Sequence, residues 1–137
     1  MNILTLSIKQ KYFDEILAGT KKQEYREVRP NNFAKYGRII IPYPDGERYK
    51  DFDEVPEMFD NAEWGIEPVK YDALKLLTGA YTDKRPYLIV EVESAEIYEI
   101  IDEHGKPYII GEGTEDEYSM HEIEYSLGKI LEVELYK

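Results

Sequence analysis

From Asn2 to Ile8 apolar and polar residues alternate, with Leu4, Leu6 and Ile8 on one face and Thr5 and Ser7 on the other. A period of two is that of a strand with one face in a core. The period then changes. Tyr12, Phe13, Ile16 and Leu17 gather on one side of a 3.6-residue helix, while Lys11, Asp14 and Glu15 face away. Gly19 supplies the residue that most readily ends a helix, so a strand, a short helix and a stop are predicted in close succession. Tyr12, on the apolar side, is read as core.

The next segment breaks the rule. Lys21 to Arg29 reads as extended, yet one row is Lys22, Glu24, Arg26 and Val28 and the other is Lys21, Gln23, Tyr25 and Glu27, so neither face is apolar. Whichever row turns inward carries charge toward the interior, where it needs a partner or a water-filled cleft. The alternative is an edge strand charged on both faces against aggregation. Arg38 to Tyr43, with Ile39, Ile40 and Ile41, predicts a short buried strand ended by Pro42.

Residues 44–70 are acidic, hold Pro44, Pro56 and Pro68, and keep Tyr49, Phe52, Phe59 and Trp64. So many large aromatics argue for an ordered excursion laid over the rest of the fold, with a short helix after Pro56 through Met58 and Phe59. Tyr71 to Leu77 fits either period, a strand through Leu74 and Leu76 or a helix face of Tyr71, Leu74 and Leu77. Leu88, Val90 and Val92 alternate with Ile89, Glu91 and Glu93 until the parity shifts to Ala95 and Ile97, which predicts a bulge near Ser94. A turn at His104 and Gly105 leads to Tyr108 to Ile110, followed by a polar, acidic loop from Gly111 to Ser119. Two closing strands, Met120 to Ser126 and Lys129 to Tyr136, are predicted around Leu127 and Gly128, the last burying Leu131, Val133 and Leu135.

Composition narrows the chemistry. The chain has 137 residues, 42% of them hydrophobic, enough for one core and hence a single domain over 1–137. No apolar run is long enough for a membrane span and the opening lacks the parts of a signal peptide, so a soluble, cytoplasmic protein with no membrane partner is expected. Without cysteine there are no disulfides, thiolate metal sites or cysteine nucleophiles, and His104 and His121 are the only histidines; no metal and no cofactor are expected.

The net charge of −12 is unevenly spread. Residues 1–38 hold eight Lys and Arg against four Asp and Glu, whereas 39–137 hold nine against twenty-five. An anionic ligand is steered to the first quarter of the chain and repelled elsewhere, which favours a nucleotide or a short single strand over long duplex DNA. Gly111, Gly113 and Thr114 look like a phosphate loop only in outline, since no lysine follows and Glu112, Glu115, Asp116 and Glu117 repel phosphate.

The opening pattern I-K-x-x-Y-x-x-x-I-L-x-G-x-K-x-x-E-x-R, at Ile8, Lys9, Tyr12, Ile16, Leu17, Gly19, Lys21, Glu24 and Arg26, resembles the signature of the ASCH domain family, within the PUA-like superfamily. Looser likeness continues through Leu74 to Tyr81, Pro86 to Val92 and Ser126 to Glu132, and it implies that Tyr71 to Leu77 is a strand. Gln10 stands where many relatives have proline at the helix start. The resemblance implies an α+β fold, a PUA-like mixed β-barrel with a helix after the first strand, and a cleft beside that helix bordered by Lys21, Glu24 and Arg26.

Glu24 and Arg26, two apart on a strand, share a face and can pair, holding the guanidinium as a fork for phosphate or a carbonyl edge. Lys9 and Lys21 add point charges, and Tyr12, Tyr25 and Trp64 are candidate stacking surfaces for a base. The leading expectation is RNA or nucleotide binding, with Lys9, Lys21, Glu24, Tyr25, Arg26 and Trp64 as ligand contacts and the acidic excursion gating access. If the chain is an enzyme, Lys21 and Glu24 are the catalytic pair. Some relatives resemble amidohydrolases acting on acetylated cytidine, with a lysine at the Lys21 position, a hydroxyl near position 24, where this chain has Glu24, and a distant carboxylate; others look like ribonucleases of single strands. A third class is a protein-interaction module using the acidic surface. Oligomeric state is not legible.

Overall fold

In the computed structural model, which describes residues 1–41, 47–51, 54–59, 65–81 and 84–136, the opening alternation becomes a strand with Leu4 and Leu6 buried and their neighbours exposed. The elements are, in chain order, β1 (Ile3–Ser7), α1 (Gln10–Leu17), β2 (Gln23–Val28), α2 (Phe33–Tyr36), β3 (Gly37–Ile40), β4 (Arg48–Tyr49), a 3-10 turn at Glu57–Phe59, β5 (Gly65–Pro68), β6 (Ala73–Leu77), β7 (Tyr87–Glu99), β8 (Ile109–Ile110), β9 (Tyr118–Ser119) and β10 (His121–Glu134). The chain is α+β and dominated by strands. They form sheets ordered β1-β6-β7-β10-β2, β4-β3-β5 and β8-β9. The larger order is open, with β1 and β2 at its edges, so these pairings do not close the barrel that the resemblance implies. Among the described residues no helix is long and apolar enough to cross a membrane.

Contacts divide the chain into two compact units, Met1–Glu24 with Lys70–Ala95 and Tyr125–Lys137, and Tyr25–Val69 with Glu96–Glu124. In the first, β1 runs parallel to β6, with Leu4 opposite Leu74 and Leu6 opposite Leu76. A parallel pair needs a long crossover, which here is the whole intervening chain. Antiparallel β7 then sets Val90 against Leu74 and Leu88 against Leu76. All six of these side chains are buried, so two apolar rows cross three strands and form the heart of the core. Phe13 and Ile16 are the buried residues of α1.

Gln10 has a use that proline lacks. Its carbonyl accepts from the hydroxyl of Thr78 at 3.3 Å and its amide donates to Asp14 at 2.9 Å. Thr78 is buried, so the residue that departs from the family pattern satisfies a polar group in the interior.

In the second unit, β3 is the central strand, antiparallel to β4 and to β5. The acidic segment 44–70 therefore supplies two strands of a sheet. Arg48 on β4 and Glu67 on β5 form an ion pair. Only a single 3-10 turn follows Pro56, and Met58 is exposed. Pro42, Pro44, Phe52 and Trp64 lie outside the described residues, as does the side chain of Phe59.

The one-turn helix α2 was not predicted. Asn32 forms it locally: its Oδ1 accepts from the Arg29 amide at 2.7 Å and its Nδ2 donates to the Glu27 carbonyl at 3.2 Å, folding the chain back into the turn.

Two further expectations are corrected. The closing strands are one continuous strand, β10, which runs through Leu127 and Gly128 without turning. Leu131 and Val133 are exposed, because burial on β10 falls on Ile123, Tyr125 and Leu127 instead. In β7 the burial pattern does change phase, with Glu93 and Ser94 both exposed where the parity shift was read.

Candidate functional site

The site is built by the way α1 ends. Gly19 has φ of +81°, its amide donates to the Ile16 carbonyl at 3.0 Å, and the Thr20 amide donates to the Glu15 carbonyl at 2.9 Å. This paired arrangement is the Schellman ending, for which a residue without Cβ is best suited. The Lys21 amide also reaches the Glu15 carbonyl, at 3.1 Å. The backbone of Lys21 is thus tied to the end of the helix, and the next carbonyl, of Lys22, accepts from the Leu127 amide at 2.8 Å on β10.

Between these anchors lies an open cleft of about 420 Å³ within the first unit. Its apolar lining is Ile16, Val90, Leu127 and Ile130. Lys21, Lys22 and Gly19 line it from the end of α1 and the approach to β2, and Glu93 and Gly128 from β7 and β10. Lys21 Nζ stands 3.9 Å from Glu24 Oε1, and the side chains are only 17% and 7% exposed. The same ammonium sits 5.3 Å from the centroid of the Tyr12 ring, near enough for attraction to the π face.

Gly128, expected between two strands, is instead a seat for carboxylates within one. A Cβ there would collide with Glu91 Oε1 and meet Glu93 Oε1 at 3.1 Å, so the bare backbone lets both acids approach β10. The cleft therefore has a cationic side at Lys21 and Lys22 and an anionic side at Glu93, with Glu91 beside it. Uneven charge pointed to the basic first quarter of the chain and the family likeness to Lys21; Glu91, Glu93 and Gly128 carried no local signal, since an acid on a strand and a glycine in a strand look alike whatever lies opposite.

Of the residues chosen from sequence, Lys21 and Glu24 are brought together. The row Lys22, Glu24, Arg26, Val28 turns inward on β2, with Glu24 and Val28 buried and Arg26 half-buried. Arg26 and Tyr25 belong to the second unit, where the Tyr25 hydroxyl donates to Glu124 at 3.4 Å. Lys9 is the exposed N-cap of α1, makes no side-chain cap bond, and is not among the residues lining the cleft. Trp64 lies outside the described residues. Tyr12 is corrected from core to surface: it is 37% exposed, because Phe13 and Ile16 already fill the inward side of the short helix. Its ring lies under Lys21 and, at 5.8 Å, Lys11.

The glycine loop after β8 is closed upon itself. Thr114 donates to the Gly111 carbonyl at 2.6 Å and the Gly113 amide donates to Glu117 at 2.8 Å, so the amide that a phosphate would take already holds a carboxylate. Among the described residues no three His, Asp or Glu side chains converge as a metal-ligand set.

No curated protein and no solved structure matches the chain. The family model for the ASCH domain matches residues 6–130, which takes in α1, its glycine stop, Lys21, Glu24 and the strands that face them. On that match, spanning most of its length, the chain belongs to the ASCH domain family.

Proposed function

We propose that the chain binds a nucleotide or a short single-stranded RNA in the cleft at the end of α1, on a PUA-like scaffold. The observation that carries this reading is the placement of Lys21: a largely buried ammonium held at once by Glu24 and by the face of an exposed aromatic ring. Tyr12 offers a surface on which a base can stack, an interaction that contributes about 1–3 kcal/mol per base. Lys21 and Lys22 are suited to the anionic part of the ligand, and Glu93 to the amino edge of a base. The apolar lining accommodates the ring between them.

Fluorescence anisotropy with a short labelled single-stranded RNA, competed by mononucleotides, tests the reading. Affinity is expected to fall at least tenfold on Lys21→Ala and on Tyr12→Ala and to change little on Lys9→Ala. Binding that is indifferent to both of the first two substitutions overturns it.

A second reading is favoured by one feature, an amine and a carboxylate 3.9 Å apart inside a cleft. Such a pair is suited to passing a proton: once Glu24 takes the ammonium proton, the free amine of Lys21 can act as base or nucleophile in hydrolysis of an N-acylated nucleoside or of RNA. Turnover of acetylated nucleosides or short RNAs must then appear and must vanish on Lys21→Ala; its absence with the wild-type chain leaves the binding reading alone.

A further inference from the structure

A second hollow, of about 490 Å³, lies wholly within the second unit. Its floor is apolar: Val28, Phe33, Ile66 and Ile97. Gly37 shapes that floor. A Cβ at this position would stand 3.0 Å from Ile97 Cδ1 and 3.0 Å from Phe33 Cε2, so the bare backbone of β3 lets both side chains lie back against it and keeps the hollow open.

The rim is polar, and its charge is one-sided. Arg29 is held by Glu27 at 2.8 Å, and among the described lining residues no other Lys or Arg stands beside the carboxylates of Asp51 and Glu117. Glu115 and Asp116 line the adjoining hollow and add to the negative field. Glu117 is fixed in place, since its Oε2 accepts from the Gly113 amide. His121 is tied to the same wall: Nδ1 lies 3.0 Å from the Ser119 carbonyl, which can only accept, so Nδ1 donates to it.

An apolar floor under a carboxylate rim selects an occupant with an apolar body and a positive charge. An anion meets repulsion there, and a neutral molecule desolvates Glu117 without pairing it. The volume is that of a small-molecule site. We infer that this hollow binds a small organic cation, an aromatic or branched alkyl body bearing a primary ammonium group. This site is independent of the cleft at Lys21.

Ligand-observed NMR with tryptamine as probe, alongside the neutral indole-3-ethanol and the anionic indole-3-propionate, tests the inference on the full chain. Saturable binding of tryptamine is expected, at least tenfold weaker for the alcohol and undetectable for the acid. Glu117→Gln keeps the acceptor for the Gly113 amide and removes the charge, and should weaken tryptamine fivefold or more. Gly37→Ala pushes Phe33 and Ile97 into the hollow and should weaken all ligands alike, with a native circular dichroism spectrum as its control. Equal binding of amine and acid, or an affinity untouched by Glu117→Gln, overturns the charge assignment. Binding of a lysine-flanked hydrophobic peptide without binding of the free amine overturns the small-molecule assignment.

Discussion

Lys21 and Glu24 form an ion pair three residues apart in which the carboxylate is the more deeply buried partner, Nζ lying 3.9 Å from Oε1. A carboxylate so placed depends on the cations and donors around it, because desolvation is not offset by water. Glu24→Ala is expected to destabilise the fold by about 1–3 kcal/mol, seen as a lower urea midpoint at unchanged slope. In the Lys21→Ala background the same change should cost less, with a coupling of about 0.5–3 kcal/mol. Strictly additive effects would show that the pair stabilises nothing.

Gly19 is held at φ of +81° with open space around it, so a methyl there meets no neighbour and pays only in backbone strain. Gly19→Ala should therefore lower stability by about 1–2 kcal/mol, measured by thermal unfolding. An unchanged melting temperature would mean that the helix ending relaxes freely.

Leu74 is completely buried and faces Leu4 on one side and Val90 on the other. Leu74→Ala should cost about 2–5 kcal/mol through lost transfer energy and a residual cavity. Met58 is 81% exposed, and Met58→Ser should stay within about 0.5 kcal/mol. Chemical denaturation of the two variants side by side checks the contrast.

The Tyr87 hydroxyl donates to Glu132 at 2.5 Å, and that bond, reinforced by burial and by the carboxylate charge, pushes its pKa up from 10.0 to about 12. Tyr98 is raised as well, by burial first and then by its bond to Glu122. A folded-state pKa above the unfolded value means a contribution that is complete below pH 10 and is lost as pH rises toward 12. Tyrosinate absorbance should accordingly develop later in the folded chain than in urea, with stability falling over the same window. Glu132→Gln should bring part of that late titration back toward the ordinary range, and a coincident folded and unfolded titration would contradict the assignment.

Local pattern carried much of the fold and part of the site. The alternation at Leu4 and Leu6, the helix face of Phe13 and Ile16 and the stop at Gly19 follow from periods of two and 3.6 and from the conformational freedom of glycine, properties that reside in a few neighbouring residues, whereas the strand at Leu74 and Leu76 fits either period and follows only from the family likeness. That Lys21 to Arg29 is extended and charged on both faces was legible for the same reason, as was the excess of cations in the first quarter of the chain; which row turns inward is decided by packing, and it is the row of Glu24.

Tertiary structure decided what periodicity leaves open. Whether Gly128 turns the chain or lies within a strand depends on what approaches it, and the answer, the carboxylates of Glu91 and Glu93, comes from another strand. Tyr12 and Leu131 are apolar at the right spacing yet exposed, because burial is set by the area that neighbours offer and not by hydrophobicity alone. The anionic wall of the cleft and the floor made by Phe33, Ile66 and Ile97 join residues far apart in the chain. Sequence spacing fixes which way a side chain points along its own element; only the packing of elements fixes what it meets.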